Sequence, residues 1–304
     1  MQEPRSFTYG KATLFNDDCF AWLAQQKDNS IHAIVTDPPY GLQEYTPDQV
    51  QKLRTGKGGV WRQPPSIGGS KRSPLPRFTV LNEKHLKELH DFFFEWGKSV
   101  MPKLVPGANV VMASNPLLSY IVSNALADAG LERRGEIVRL TMTMRGGDRP
   151  KNAETLFPDV SVMPRSQWEP WVLFRKPLES GLRIQDNLCK WYTGGFRRID
   201  DEHPFGDVIK SAPTHPTEKK LCSHPSLKPQ SFMRQLVRAV LPLGIGRVVD
   251  TFAGSGSTLA AAEAVGYESA GVERDSTYFD AACEALPKLA TFMTAQASSE
   301  RLAS

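Results

Sequence analysis

The fold is decided by the stretch Arg247-Val248-Val249-Asp250-Thr251-Phe252-Ala253-Gly254-Ser255-Gly256-Ser257-Thr258. Its apolar first half predicts a buried strand over 247–252, and the glycines that follow let the backbone turn sharply and approach a ligand closely. A helix over 258–265, a strand over 269–274 and a helix over 277–286 follow in the pattern. This β-α-β unit predicts an α/β fold with parallel strands and right-handed crossovers.

The glycine-rich turn favours an adenosine-bearing ligand that lacks a long phosphate chain. A nicotinamide fingerprint requires a third glycine where Leu259 stands, and no Gly-Lys-Ser/Thr follows at P-loop spacing. Glu273 ends the next strand, where an acid can accept hydrogen bonds from ribose hydroxyls. The alternative is a packing turn followed by a solvated acid at a strand end.

A second strand leads into a group of residues suited to bind an amine. Residues 31–36 form a short apolar run that ends at Asp37-Pro38-Pro39-Tyr40. The two prolines prevent the chain from continuing either as a helix or as a hydrogen-bonded strand of the sheet. We expect Asp37 and the Pro38 carbonyl to accept hydrogen bonds and Tyr40 to offer a stacking face. A tight turn would explain the two prolines but not the flanking acid and aromatic residue.

The remaining chain divides into regular and irregular parts. Residues 41–80 carry seven Lys or Arg against two Asp or Glu, with many Gly and Pro, which predicts a mobile basic loop. Residues 145–212 lose helical periodicity and are interpreted as an irregular inserted recognition segment. Further elements are predicted as helix 82–100, strand 108–113, helix 117–129, strand 136–143 and helix 230–240.

Composition restricts the class of protein. The 304 residues carry a net charge of +4, which favours a polyanionic partner without requiring one. The longest apolar runs fall short of the roughly 18 residues of a membrane span, and the first residues lack a signal-peptide core. The four cysteines are scattered, so we expect a cytoplasmic protein without disulfides, membrane contact or a zinc site.

Four motifs in order resemble the DNA amino-methyltransferases. Thr36-Asp37-Pro38-Pro39-Tyr40-Gly41 resembles their catalytic motif, and Phe252-Ala253-Gly254-Ser255-Gly256-Ser257 resembles their cofactor loop. Asn16-Asp17-Asp18-Cys19 and His224-Pro225-Ser226-Leu227-Lys228-Pro229 resemble two further elements. Because the catalytic motif precedes the cofactor loop, the order is similar to that of the circularly permuted beta class.

The resemblance implies a Rossmann-like fold that binds S-adenosylmethionine, with a mixed seven-stranded sheet, helices on both faces and an inserted target-recognition region. No metal is expected, since His215, Cys222 and His224 are too few and wrongly spaced for a standard zinc site. The implied cofactor contacts are Asp18, Asp37, His224, Ser226, Lys228, Asp250, Phe252, Ala253, Gly254, Ser255, Gly256, Ser257, Glu273 and Asp275.

The resemblance also implies the chemistry. The target base is swung out of duplex DNA, its amine is held by Asp37 and Pro38, and Tyr40 stacks on the base, with Pro39 completing the motif. The amine attacks the methyl group directly, so Cys19 is not a nucleophile. An Asp in this motif usually accompanies adenine, which predicts methylation of adenine N6. Cytosine N4 methylation, a non-catalytic DNA-binding relative and an RNA methyltransferase are the alternatives.

The resemblance divides the chain into a catalytic and cofactor-binding domain, 1–144 with 213–304, and a target-recognition region, 145–212. A hairpin over 191–198 is expected to present arginines to DNA. The expected DNA contacts are Lys52, Arg54, Lys57, Arg62, Lys71, Arg72, Arg197 and Arg198. Double-stranded DNA is the expected partner, and the resemblance also allows a homodimer and a cognate restriction endonuclease.

Two departures from the family pattern bear on the site. Thr251 stands where proline is usual, which predicts a looser turn, and Ser226-Leu227 replaces Thr-Gln while keeping a hydroxyl. A second His-Pro segment, 215–220, lies nine residues upstream of the one at 224–229 and lacks the final proline. The 224–229 segment is preferred for the cofactor because it directly precedes the helix over 230–240.

Overall fold

The structure is a computed structural model that describes residues 5–39, 66–67, 70–71, 83–145, 147, 149–222, 224 and 227–294. Its strands are β1 (Arg5–Tyr9), β2 (Ala12–Asn16), β3 (Ile31–Thr36), β4 (Ser66–Ile67), β5 (Ser70–Lys71), β6 (Leu104–Ala113), β7 (Glu132–Arg145), β8 (Ser166–Arg175), β9 (Val208–Lys210), β10 (Arg247–Asp250) and β11 (Glu268–Val272). Its helices are α1 (Cys19–Gln25), α2 (Glu83–Val100), α3 (Ser119–Asp128), α4 (Ile184–Trp191), α5 (Pro216–Lys219), α6 (Gln230–Val240), α7 (Ser257–Ala264) and α8 (Ser276–Ala290).

Among the described residues, nine strands form one mixed sheet in the order β1-β2-β11-β10-β3-β6-β8-β7-β9, and β4 pairs with β5 separately. Strands β2, β11, β10, β3 and β6 are mutually parallel, whereas β8 is antiparallel to both neighbours. The predicted α/β fold and mixed sheet are confirmed, but the predicted number of seven strands is wrong. The short strands β1 and β9 lie at the two edges of the sheet. The sequence of each shows little of the periodic pattern that predicts a strand.

Helices cover both faces of the sheet, as predicted. In β3, Ile34 packs on one face in a cluster with Trp96 of α2, whereas Ala33 and Val35 pack on the other face with Leu236 of α6. Successive side chains of a strand point to opposite faces, so a strand covered on both sides reads as a continuous apolar run. This burial explains why residues 31–36 carry such a clear strand signal.

The strands β3 and β10 lie side by side at a switch point of the topology. From β3 the chain continues to β6 on one side, and from β10 it continues to β11 on the other. In open α/β sheets a crevice forms beyond the carboxyl ends of two such strands, and ligands bind there. The sheet therefore places the turn after β3 and the glycine loop after β10 beside one crevice.

Elements with strong periodicity match the predictions closely. The strand at 31–36 is β3, the helix at 230–240 is α6, and the helix at 82–100 is α2 with a start one residue later. Each buries an apolar face in the core clusters, and such a face imposes a regular spacing on the sequence. No helix within the described ranges is long and apolar enough to cross a membrane.

The prediction of an irregular insertion over 145–212 is wrong at its centre. Strand β8 lies between β6 and β7, and its Trp171 and Phe174 are buried in the core on opposite faces. Frequent Pro and Gly around the strand concealed it. Because β8 is antiparallel to β6, the segment 149–165 before it lies at the carboxyl edge of the parallel strands, and the segment after it begins at the opposite edge.

The predicted hairpin over 191–198 is also wrong. Trp191 ends helix α4, and Tyr192 terminates it in a left-handed conformation with a φ of 61°. The side-chain amide of Asn187 in α4 donates to the carbonyl oxygens of Pro106 and Thr193, which fixes the turn after the helix. The glycines at 194 and 195 therefore belong to a helix exit and not to a two-residue hairpin loop.

Candidate active site

The carboxyl ends of four parallel strands bring most of the predicted site residues to one edge of the sheet. Asp18 follows β2, Asp37 follows β3, the glycine loop at 251–256 follows β10, and Glu273 follows β11. The Asp37 side chain is largely buried, and Pro38 beside it is buried as well. An acid, a proline carbonyl and a glycine loop therefore share one crevice.

A buried carboxylate joins the turn after β3 to the loop after β10. The Thr36 hydroxyl donates to Asp250 Oδ1 over 2.6 Å, and the Phe252 N–H donates to the same oxygen over 3.1 Å. Burial raises the pKa of Asp250 to about 6, against the hydrogen bonds from Thr258, Thr36 and Phe252, which lower it. Asp250, predicted to contact the cofactor, thus has protein donors around it and connects the two loops.

The titration of Asp250 predicts a pH dependence of stability that Asp250→Asn removes. The folded state keeps this proton from the ordinary value of 3.8 up to about 6, so the free energy of unfolding falls as pH rises through that window. The contribution is on the order of 3 kcal/mol, at about 1.4 kcal/mol for each pKa unit. Chemical denaturation of both proteins from pH 4 to 7 measures it, and parallel stability curves would contradict this assignment.

The acid that follows β11 is hydrogen-bonded to the glycine loop. The Gly254 N–H donates to Glu273 Oε2 over 2.9 Å, and the Asp275 N–H donates to Glu273 Oε1 over 2.7 Å. Burial raises the pKa of Glu273, although these N–H groups oppose the shift. Gly254 has a φ of 47°, and an added Cβ would lie 3.1 Å from the imidazole of His224. Glycine at this position therefore serves both the turn and the close approach of the histidine.

The rest of the glycine loop is tied to the chain around it. Gly256, with a φ of 73°, caps helix α7, while Ala253 is buried. The hydroxyls of Ser255 and Ser257 lie 2.8 Å apart, and the Lys228 N–H donates to the Ser257 hydroxyl. These contacts leave the loop little freedom to change shape.

Two predicted cofactor contacts form helix caps in the structure. Asp18 Oδ1 accepts the N–H groups of Phe20 and Ala21 at the start of α1. Asp275 Oδ1 accepts those of Thr277 and Tyr278 at the start of α8. Acids at these positions stabilise a helix by satisfying its first N–H groups, a signal that the sequence already carries.

Thr251 is not a loose substitute for proline, which corrects that expectation. Its hydroxyl accepts the indole N–H of Trp96 over 3.1 Å, and both side chains are buried. Phe252 packs beside the rings of Phe92 and Trp96. The turn after β10 is thereby fixed to helix α2 by a hydrogen bond that proline cannot make.

The structure reveals a charge network around Asp37 that sequence reasoning missed. Lys228 Nζ lies 2.7 Å from Asp37 Oδ2 and 3.1 Å from Glu169 Oε1, while Arg139 Nη1 donates to Glu169 Oε2 over 2.9 Å. Burial alone would lower the pKa of Lys228, but the charges of Asp37 and Glu169 outweigh it and raise the pKa. Glu169 and Arg139 lie on strands β8 and β7, and no local motif marks either.

The described part of the preferred His-Pro segment, 224–229, lies at the site. His224 contacts the ring of Tyr278, with 4.4 Å between the centroids, and burial followed by the Lys228 charge lowers its pKa to about 4. The imidazole is thus neutral at neutral pH. His215, in the other segment, caps the short helix α5 and pairs with the Thr217 hydroxyl.

The remaining predicted residues divide into two groups. Arg197 donates to the Tyr267 hydroxyl just before β11, and Arg198 donates to backbone carbonyls at 200–202, so neither is brought to the carboxyl edge with Asp37. Seven further predicted residues lie outside the described residues: Tyr40, Lys52, Arg54, Lys57, Arg62, Arg72 and Ser226. Lys71 is described in its backbone only. Most of the predicted basic loop at 41–80 also lies outside the described residues.

Cys19 has the environment of a core side chain. It is buried, and burial with the nearby Asp18 carboxylate raises the pKa of its thiol to about 12. A thiol of this kind is protonated at neutral pH and is a poor nucleophile. The environment of Cys19 therefore does not favour covalent catalysis by this residue.

The sequence is similar to known DNA methyltransferases over most of its length. The DNA methylase family profile N6_N4_Mtase matches residues 31–284. The type II methyltransferase M.HindIII of Haemophilus influenzae is 24% identical over 308 residues, which cover 90% of this chain and 94% of that protein. M2.DpnII of Streptococcus pneumoniae is 21% identical over 276 residues, covering 90% and 88%.

Solved structures share the fold. The cytosine-N4-specific PvuII DNA methyltransferase has a TM-score of 0.61 at 16% identity, covering 99% of this chain and 93% of that one. TTHA0409 of Thermus thermophilus, solved in complex with S-adenosyl-L-methionine, has a TM-score of 0.55 at 18% identity, covering 94% and 96%. Because the family profile matches most of the sequence, the chain belongs to the N6/N4 family of DNA methylases.

Proposed function

We propose that this DNA methylase transfers the methyl group of S-adenosylmethionine to the exocyclic N6 amine of adenine at a specific site in duplex DNA. The observation that carries the proposal is Asp37, whose carboxylate pairs with Lys228 directly after β3, beside the strand β10 that leads into the Gly254 loop. The catalytic motif precedes the cofactor loop in the chain, which supports assignment to the permuted beta class.

The residues at the carboxyl edge fit the proposed cofactor. When bound, S-adenosylmethionine supplies a methyl group made electrophilic by its sulfonium. Gly254 and Gly256 each have a positive φ suited to a tight turn, and Gly254 lies without a side chain beside the imidazole of His224. Glu273 accepts two N–H groups and still has lone pairs for ribose hydroxyls, since each carboxylate oxygen has two. Together with Phe252 and Ser255, these residues would hold the adenosine part.

Asp37 and the Pro38 carbonyl act on the amine. The lone pair of an aromatic amine is conjugated into the ring and is a poor nucleophile. Hydrogen bonds from its N–H groups to these acceptors aim the lone pair at the methyl carbon and favour tetrahedral geometry. The nitrogen would then bond to the methyl carbon directly while the bond from that carbon to the sulfonium breaks, so that a neutral thioether leaves and the surplus amine proton is released to solvent. Catalysis rests on positioning and electrostatics.

The DNA is proposed to lie against the carboxyl edge. An amine within the duplex cannot be reached, so the base is extruded toward Asp37, and we assign to Tyr40 the stacking contact. Among the described residues of the recognition region at 145–212, those just before β8 and those just after β9 lie at this edge. We propose that target recognition is centred on the longer of these two parts, 149–165, where Leu156 and Phe157 are exposed. The basic residues of 41–80 are proposed to contact phosphates.

Mass spectrometry of nucleosides tests the reaction and the base together. DNA is taken from a methylation-deficient host that expresses either this protein or its Asp37→Ala variant. N6-methyladenine present only with the unaltered protein is the expected result. N4-methylcytosine would contradict the assignment to adenine while retaining the proposed mechanism. Neither modification, from folded protein that binds the cofactor, would contradict the proposal of DNA as substrate. A homodimer and a partner endonuclease stay predictions.

A further inference from the structure

We infer that Lys228 is a positioning residue that holds Asp37 for the amine, and that Glu169, itself fixed by Arg139, holds Lys228. The inference rests on the proposed function, because it concerns how Asp37 is presented to the substrate amine. It reassigns Lys228, which the motif resemblance placed among the cofactor contacts. It also adds two positioning residues from strands that no motif identified.

The four groups form an alternating line of charges. Asp37 and Glu169 contact the same ammonium of Lys228, and Arg139 contacts the far oxygen of Glu169. The side chains of Lys228 and Arg139 are 10% and 7% exposed, and those of Asp37 and Glu169 are 18% and 17% exposed. Ions this deeply buried are stable only when paired and hydrogen-bonded, so removal of one member leaves an uncompensated charge.

Hydrogen bonds to neighbouring strands, helices and turns hold Lys228 and Arg139 in place. The Lys228 N–H donates to Ser257 at the start of α7, and the carbonyl before it, on Leu227, accepts the Thr214 hydroxyl. Arg139 donates to the Ser211 hydroxyl and the Ala212 carbonyl just after β9. The Lys228 ammonium is thus fixed from two sides. Strands β7 and β8 supply Arg139 and Glu169 on one side, and the loop before α6 supplies the Lys228 backbone on the other.

This geometry favours a contact with Asp37 over a contact with the cofactor. An ammonium has three N–H donors, and two of them are directed at the carboxylates of Asp37 and Glu169. One oxygen of Asp37 is thereby fixed in space, which restricts the orientation of the whole carboxylate. Displacement of a catalytic group by about 1 Å costs about 100-fold in rate, so this restriction bears on methyl transfer more than on cofactor affinity.

Two variants and a matched control test the inference. Lys228→Met removes the ammonium, and Glu169→Gln removes the charge that holds it. Glu132→Gln is the control, because Glu132 lies on β7 and pairs with the buried Arg175 of β8 at the opposite edge of the sheet. For each full-length protein we would measure the single-turnover rate at saturating S-adenosylmethionine, the Kd of S-adenosylmethionine by calorimetry, and the Tm.

The expected result is a loss of rate without a loss of cofactor affinity. Lys228→Met lowers the rate by about 100-fold and Glu169→Gln by about 10-fold, while the Kd changes by less than about 3-fold. Glu132→Gln leaves both values near those of the unaltered protein, even if its Tm falls as far as that of Glu169→Gln. If Lys228→Met does not fold, the inference is tested by comparing the single-turnover rate and the Kd of Glu169→Gln with those of Glu132→Gln.

Two outcomes would overturn the inference. One is a raised Kd for Lys228→Met with the rate at saturation retained, which would make Lys228 a cofactor contact. The other is a rate for Glu169→Gln equal to that of the control. Both are distinct from failure of the proposed function, in which the unaltered protein itself transfers no methyl group to DNA.

Discussion

Replacement of Asp37 by alanine lowers the single-turnover rate of methyl transfer by about 10²- to 10³-fold, while the Kd of S-adenosylmethionine changes by less than about 3-fold. The size follows from the proposed role of the carboxylate, because losing one preorganised group that meets developing charge costs about 10²- to 10³-fold in rate. Asp37 also compensates the buried ammonium of Lys228, and its loss leaves that charge to Glu169 alone.

The measurement is transfer of a labelled methyl group to duplex DNA, with calorimetry for the cofactor. Asp280→Ala is a suitable control, since Asp280 is an exposed acid of α8 that pairs with Arg5 outside the crevice. Full activity of Asp37→Ala would remove the basis of the proposed mechanism. A large rise in the Kd with little change in rate would place Asp37 with the cofactor and not with the amine.

Replacement of Glu273 by alanine raises the Kd of S-adenosylmethionine by about 100-fold, with a much smaller effect on the rate at saturation. Glu273 accepts the N–H groups of Gly254 and Asp275, and hydrogen bonds to a charged acceptor contribute about 1.5–3 kcal/mol each. Without the carboxylate, the glycine loop loses its fixed shape and the ribose loses its proposed acceptor.

The same strand provides the matched control for Glu273. Glu268→Ala removes an exposed acid at the other end of β11, where it lies near Arg247 at the edge remote from the crevice. We expect this variant to bind the cofactor as the unaltered protein does. An unchanged Kd for Glu273→Ala together with a loss of turnover would contradict the ribose role.

The sequence predicts the parts of this fold whose signal is local. A strand buried on both faces, such as β3, must be a continuous apolar run, and an amphipathic helix such as α2 must repeat its apolar residues at helical spacing. The turn residues at Asp37 and Gly254 are equally local, because the chain itself must change direction there. Neighbouring parallel strands then bring these turns together, so the edge that forms the candidate site could be predicted.

The parts that escaped prediction depend on contacts between distant segments. Glu169 acts on Lys228 across 59 residues of sequence, and nothing in the residues around either one indicates the other. Strand β8 was missed for a different reason, because the Pro and Gly residues near it indicate irregular structure more strongly than its short apolar run indicates a strand. At 194–195 the paired glycines are compatible with a hairpin and with a helix exit, and only packing of α4 against the start of β6 decides between them.

The pairing of β3 with β10 has a consequence for how the chain acquires its structure during synthesis. The hydrogen bond between Thr36 and Asp250 joins residues 214 positions apart, and β3 lies between β6 and β10 in the finished sheet. A nascent chain that has not yet reached β10 therefore exposes one unpaired edge of its central strand. Unpaired edges template association between chains, and pairing over long separations is slow. The vulnerable period ends only when β10 has left the ribosome.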